Sequence, residues 1–298
     1  MEQGSYNHII PIEAWWSKLR ILVSNDDGIE APGLLALESA LKRAGHEVLV
    51  AAPHKERSGS SHSFSLRRML RIREAGRDRY SVSGTPVDAV HIAVKHLFRD
   101  RRPQLVVSGI NLGANLGCDI NYSGTAAAAR EGALLEIPAF AVSLDVDKGK
   151  SPPDFSAAAR FAVYLSAFIR ERGLHPRSFL NVNLPDLPEH ELKGVRVTRL
   201  GVRNYGDMIH VIEDPFGENC YWMGGAASGG TDIADSDIAA VAERYISVCP
   251  LDLDSTMREE VERLSKQLSS EEWPGDGGER VRGPAGKDGP NPDREARD

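Results

Sequence analysis

Apolar runs alternate with amphipathic stretches through the first two-thirds of the chain. Residues 19–24 (LRILVS) are an almost unbroken apolar run, which predicts a buried strand. Leu34, Leu37, Leu41 and Ala44 then recur at helical spacing. With Pro32 in the first turn and Gly45 at the cap, they predict a helix over Pro32–Ala44. Residues 47–52 (EVLVAA) predict a second strand, and this unit implies a right-handed crossover between parallel neighbours. The alternation continues with a short hairpin at 69–73 and 79–83. The Gly84-Thr85-Pro86 turn opens a helix to about Leu97, and a strand follows at 104–108 (QLVVS). After a loop from Gly109 to Tyr122 come a helix over Ser123–Glu136 and a strand over Ala139–Leu144. A helix over Asp154–Arg172 and a strand at 179–185 (FLNVNLP) complete the series.

This alternation predicts an α/β fold, a Rossmann-like, doubly wound, mostly parallel sheet. From about Gly201 the pattern changes. Residues 204–225 carry aromatics, glycines and β-formers without a helical period, as expected of an extended C-terminal β-hairpin arm that leaves the core. A late strand is expected at 244–249 (RYISVC) and an amphipathic helix at 255–268. From Trp273 the chain turns to Gly, Pro and charge, the composition of a disordered tail.

Composition narrows the function classes. The 298 residues are 41% hydrophobic, which is ordinary for a globular protein, and no apolar run is long enough to span a bilayer. A net charge of -7 argues against duplex nucleic acid or an anionic membrane as partner. Cys118, Cys220 and Cys249 are odd in number and widely spaced. They suggest a reduced, cytoplasmic chain and neither a disulfide framework nor a zinc site. The N-terminus lacks the basic and apolar regions of a signal peptide.

Ligands of open parallel sheets bind beyond the carboxyl ends of the strands. Three successive strand ends lead here into SNDDG (Ser24–Gly28), PHKERSGSS (Pro53–Ser61) and SGINLGANLG (Ser108–Gly117). The adjacent carboxylates of Asp26 and Asp27 would repel each other unless a divalent cation joined them. Ser58 and Asn111 would complete four hard oxygen donors, a set that favours magnesium, manganese or calcium over zinc. Taken alone, SNDDG is more often a turn that caps the next helix, PHKERSGSS a plain turn, and SGINLGANLG a generic phosphate or dinucleotide loop; their joint arrival on one edge shifts the balance. In NYSGTAAAAREG, Ser123 can cap a helix whose first amides, Gly124 and Thr125, would face an anion at the same edge.

Together "ILVSNDDGIEAPG", "AAPHKERSGSSHSFS", "SGTPVDAV", "VVSGINLGANLG" and "YSGTAAAAREG" resemble the SurE (survival protein E) family of 5′/3′-nucleotidases, from about Leu19 to Cys249. The resemblance implies a metal-dependent phosphomonoesterase acting on nucleoside monophosphates, with one Mg2+ or Mn2+ per subunit. It places the metal ligands at Asp26, Asp27, Ser58 and Asn111, and the phosphate contacts at Asn115, Ser123, Gly124 and Thr125. It also implies a homodimer or homotetramer built by arm exchange. The implied organisation is an N-terminal extension (1–18), a nucleotidase core (19–200), an arm and return strand (201–250), a C-terminal helix (251–272) and a tail (273–298). Cys118 stands where a polar or acidic residue is usual in the family.

The catalytic group is expected to comprise Asp26, Asp27 and Asn115, with either aspartate able to orient the attacking water. His62 is a candidate general acid, Arg57 a candidate phosphate contact, and Tyr122 and Tyr205 candidates for stacking on a base. A nucleophilic Asp26 forming an aspartyl-phosphate is disfavoured because the aspartates are adjacent. A dinucleotide-binding reductase is disfavoured because the first turn lacks GxGxxG. A nucleotide sensor without turnover is a further alternative.

Overall fold

The computed structural model describes residues 18–146, 152–203, 209–223 and 233–270, with the pairs 273–274 and 280–281. Residues 1–17 of the N-terminal extension, Tyr205 and most of the 273–298 tail lie outside the described residues. The chain divides into two units, one ending at Leu253 and one beginning at Asp254.

The first unit is built on a nine-stranded sheet in the order β3-β4-β2-β1-β5-β6-β7-β11-β8. Its centre is β1 (Arg20–Ser24), β2 (Glu47–Pro53), β5 (Leu105–Leu112), β6 (Ala139–Asp145) and β7 (Ser178–Pro185), all parallel. β3 (Ile72–Gly76) and β4 (Arg79–Val82) form the predicted hairpin, and β4 pairs parallel to β2. At the other edge β11 (Ile246–Asp252) runs antiparallel to β7 and parallel to β8 (Val195–Val197). The return strand thus belongs to the main sheet.

Strand residues alternate between two apolar layers. Ile21 and Val23 point to α1 (Pro32–Arg43) and α4 (Ser156–Arg172), whose Leu34, Leu37, Leu41, Phe161 and Leu165 are buried there. Leu22 and Leu49 point to α2 (Pro86–Ile92) and α3 (Gly124–Leu134). Each fully buried leucine contributes roughly 1.5–3 kcal/mol relative to exposure. The alanines of α3 let that helix lie close to the strands, and Ala128 and Ala129 are wholly buried.

The boundaries differ from the sequence expectation at informative places. β5 runs past Ser108 to Leu112, so the SGIN segment belongs to the strand, with an irregularity in pairing to β6 between Ser108 and Asn111. Gly109 permits this: its φ is +135°, and a Cβ there would lie 2.3 Å from the Val142 carbonyl oxygen. The helix expected to reach Leu97 changes to a π-helical turn at Ala93–Leu97. β8 and the short helix α5 (Asp237–Ala242) were not foreseen. The SGTPVDAV motif is a capping box: Asp88 N–H donates to Thr85 Oγ1 at 3.1 Å and Thr85 N–H to Asp88 Oδ2 at 2.9 Å.

β9 (Ile209–Glu213) and β10 (Asn219–Met223) make an antiparallel hairpin separate from the main sheet. Its Ile209, Val211, Ile212, Phe216, Tyr221 and Trp222 are all exposed. In the second unit, α6 (Arg258–Ser270) is amphipathic, with Val261, Leu264 and Leu268 on one stripe. A two-residue pairing of β12 (Trp273–Pro274) with β13 (Arg280–Val281) falls inside the tail segment. Their strand pairing gives backbone groups partners that composition alone does not reveal. Among the described residues no helix is long and apolar enough to cross a membrane.

Candidate active site

The NDDG turn is fixed by its first residue. Asn25 Oδ1 accepts from the Gly28 N–H at 3.2 Å and Asn25 Nδ2 donates to the Gly28 carbonyl at 2.9 Å. This leaves Asp26 and Asp27 projecting from the end of β1. Asp26 is buried, and Asp27 is half-buried. A cavity of about 240 Å³ opens at this carboxyl edge. Asp26, Ser58, Asn111, Asn115, Tyr122 and Ser123 border it, and so does Asp119. Larger clefts of about 490 and 550 Å³ on the flanks are walled by α1 with α4 and by the end of α3 with β7, and none of the predicted site residues borders them.

Asp26 is tied to the start of α3. Thr125 Oγ1 donates to its Oδ1 in a short hydrogen bond. The Thr125 and Gly124 N–H groups also favour its charged form, yet burial outweighs them and raises its pKa above the ordinary value. The expectation that these two amides stand free for an anion is therefore corrected: the Asp26 carboxylate already draws on the N-terminus of α3. Asp27 is pushed up from 3.8 to about 6, first by burial and then by the Asp26 charge, against a bond from the Leu112 N–H at 3.2 Å.

Ser58 is exposed at the cavity rim, where its hydroxyl donates to Glu56 at 2.9 Å. Asn111 Nδ2 donates to the Gly113 carbonyl at 2.7 Å, an arrangement that leaves the amide oxygen as the remaining donor atom. Asn115 is held on every side: its N–H donates to Asn183 Oδ1, its Nδ2 donates to Ser143 Oγ, and its carbonyl accepts from Asn181 and Asn183. Ser123 caps α3, accepting from the Ala126 N–H at 3.0 Å. Ser60 Oγ is buried without a hydrogen-bond partner among the described residues. A Cβ at Gly124 would lie 2.8 Å from that oxygen and 2.9 Å from Asp26 Oδ2, so only glycine fits between them.

These residues suit a hard divalent cation. Two carboxylates, a hydroxyl and a carboxamide oxygen are the donor set such ions take, and a cation would relieve the repulsion felt by Asp27. Among the described residues no three His, Cys, Asp or Glu side chains cluster as a metal group. The set here has two carboxylates only.

Sequence reasoning missed the supports. Asn181 and Asn183 are fully buried on β7, and polar residues alternating within FLNVNLP were the available signal. Asp237, also fully buried, accepts from the N–H groups of Gly117 and Gly201 and pins the loop after β5. His62 does not border the cavity; its Nε2 lies 3.1 Å from Glu131. Arg57 Nε is buried without a partner among the described residues, and its N–H donates to the Asp26 carbonyl at 2.7 Å.

The family model for Survival protein SurE matches residues 21–207, a span that carries every site residue expected from the sequence. The chain belongs to the SurE family. It is 44% identical over 247 residues to a protein of Stenotrophomonas maltophilia (strain R551-3) named 5′-nucleotidase SurE, covering 83% of this chain and 95% of that one. A protein of the same name from Aeromonas hydrophila is 46% identical over 244 residues, covering 80% and 94%. The crystal structure of the SurE protein from Aquifex aeolicus superposes with a TM-score of 0.74 at 37% identity, covering 83% of this chain and 99% of that one.

Proposed function

We propose that the chain is a metal-dependent phosphomonoesterase that hydrolyses nucleoside 5′- and 3′-monophosphates to nucleoside and phosphate. The observation that carries this reading is the meeting of Asp26, Ser58, Asn111, Asn115 and Ser123 in one cavity at the carboxyl edge of the sheet. The names of the SurE relatives support the substrate class.

Asp26, Asp27, Ser58 and Asn111 would hold one Mg2+ or Mn2+ per subunit. The bound cation would supply Lewis acidity and a more acidic water. The remaining work falls to the chain. Asn115, oriented by Ser143 and Asn183, would present an amide N–H to a phosphate oxygen. The Ser123 hydroxyl would take another, a donor fixed in place before charge develops. Such positioning matters because uncatalysed phosphate monoester hydrolysis needs acceleration of up to roughly 10²¹-fold. Asp27, the more exposed carboxylate, would orient the attacking water. Tyr122, 66% exposed at the rim, would offer its ring to the base.

The exposed apolar side chains on the β9–β10 hairpin support a homodimer or homotetramer formed by arm exchange. The cysteine pattern supports a cytoplasmic location. Phosphate release from paired 5′- and 3′-monophosphates, with sugar phosphates as comparison, tests the reading. Release from both nucleotide classes is expected, and failure to hydrolyse any nucleoside monophosphate overturns it.

A further inference from the structure

Glu131 is a buried carboxylate outside the residues assigned to metal and phosphate. Its Oε2 lies 3.1 Å from His62 Nε2 and its Oε1 lies 2.8 Å from His91 Nδ1. Burial raises its pKa, but the hydrogen bonds and charges of the two imidazoles prevail and hold it below the ordinary glutamate value. Two histidines from different elements thus converge on one buried acid of α3.

The position of Glu131 on α3 gives this cluster its meaning. It lies seven residues after Gly124, two turns along the same face of the helix. The loop after β2 runs along that face. Ser60 sits over Gly124, beside Asp26, and His62 sits over Glu131. Between them Ser61 donates its N–H to the Tyr122 carbonyl at 3.0 Å and its hydroxyl to the Asn121 carbonyl at 2.6 Å. Ser61 has a φ of +53°, a left-handed conformation that a serine keeps only when its surroundings hold it. Beyond His62 the loop is tied to α2, through Thr85 Oγ1 to the Ser63 carbonyl at 2.8 Å and the Ser65 N–H to Asp88 at 2.9 Å. Phe64 packs edge-on against His91, with ring centroids 4.9 Å apart.

We propose that Glu131 is a positioning residue for the cavity at the sheet edge, fixing through His62 the loop that carries Ser58 and Ser60 against Asp26. The histidine considered from sequence as a general acid is thereby a fastener of the loop. The metal and kinetic consequences rest on the phosphomonoesterase reading; the ordering of the loop does not.

Hydrogen exchange, Mn2+ calorimetry and nucleoside monophosphate turnover on wild type, His62→Ala, His62→Gln and Glu131→Gln test this. His62→Ala is expected to speed exchange in peptides spanning 57–63 while β1 and β5 stay protected. It is also expected to weaken Mn2+ binding and lower kcat by about tenfold or more. His62→Gln, whose amide N–H can still reach Glu131, should recover part of each, a rescue that a general loss of stability would not produce. Glu131→Gln should show the His62→Ala pattern; if it does not fold, the His62 pair decides. Wild-type loop exchange and Mn2+ affinity in His62→Ala, or equal losses in His62→Ala and His62→Gln, would overturn the proposal. A wild type that binds Mn2+ but releases no phosphate sinks the phosphomonoesterase reading, while loop exchange and Mn2+ affinity still judge Glu131. In a wild type that does neither, loop exchange alone judges it.

Discussion

Asp27→Asn should make the metal-free protein more stable and the enzyme inactive. Burial, the Asp26 charge and, least, the Glu56 charge push the Asp27 carboxyl from 3.8 to about 6, with the Leu112 N–H opposing them. A rise of that size means that ionised Asp27 costs the fold on the order of 3 kcal/mol. Because the folded pKa is the higher one, the cost is absent below about pH 4 and complete once the pH has passed through about 6. An isosteric amide removes the charge while its oxygen can still accept from the Leu112 N–H. In chelator, urea unfolding of the variant should therefore match wild type near pH 4 and exceed it by a few kcal/mol at pH 8. Added Mn2+ should reverse the order, since wild type gains binding energy and the variant has lost a ligand charge. A variant less stable than wild type in chelator at pH 8, or one with near-normal turnover, would refute the reasoning.

Gly124→Ala would place a Cβ 2.7 Å from Asp26 Cβ and 2.8 Å from Ser60 Oγ. Overpacking of about 1–3 kcal/mol, offset by at most about 1 kcal/mol of helix propensity, should leave a folded protein. Turnover should fall by about 100-fold, and unchanged initial rates would show that Asp26 tolerates the shift. Cys249 is buried and its thiol is pushed up to about 12, by burial first and then by the Asp237 charge. Iodoacetamide at pH 8 followed by mass spectrometry should therefore find Cys220, exposed on β10, labelled well before Cys249. Equal rates in the native protein would contradict that. Replacing 209–223 by a short Gly-Ser linker should give monomers or aggregates on sedimentation, because each large apolar side chain buried against a partner contributes roughly 1.5–3 kcal/mol. An oligomer with an unchanged number of subunits would exclude arm exchange.

The layered sheet was legible because its strands are buried on both faces and its helices on one, so apolar periodicity names each element. β8 and α5 escaped because each is short, and β8 pairs with β11, which arrives some fifty residues later (from Val195 to Ile246). The extent of β5 was hidden by Gly109, whose role is a close approach to the Val142 carbonyl that sequence does not display. The strand-end rule brings Asp26, Ser58, Asn111 and Asn115 to one edge from the sequence alone. The same rule could not foresee that Asp26 would draw on the Thr125 hydroxyl and the α3 amides, since that depends on side-chain direction. Glu131 was invisible for a related reason. A glutamate seven residues into a helix reads as solvated surface until a distant loop lays a histidine over it.

The most direct measurement titrates Mn2+ into chelator-stripped protein while following phosphate release from a nucleoside monophosphate. No release is expected in chelator, and turnover should rise with added metal and saturate at one ion per subunit. Full turnover in chelator, or no release at any Mn2+ concentration, would contradict metal-dependent hydrolysis.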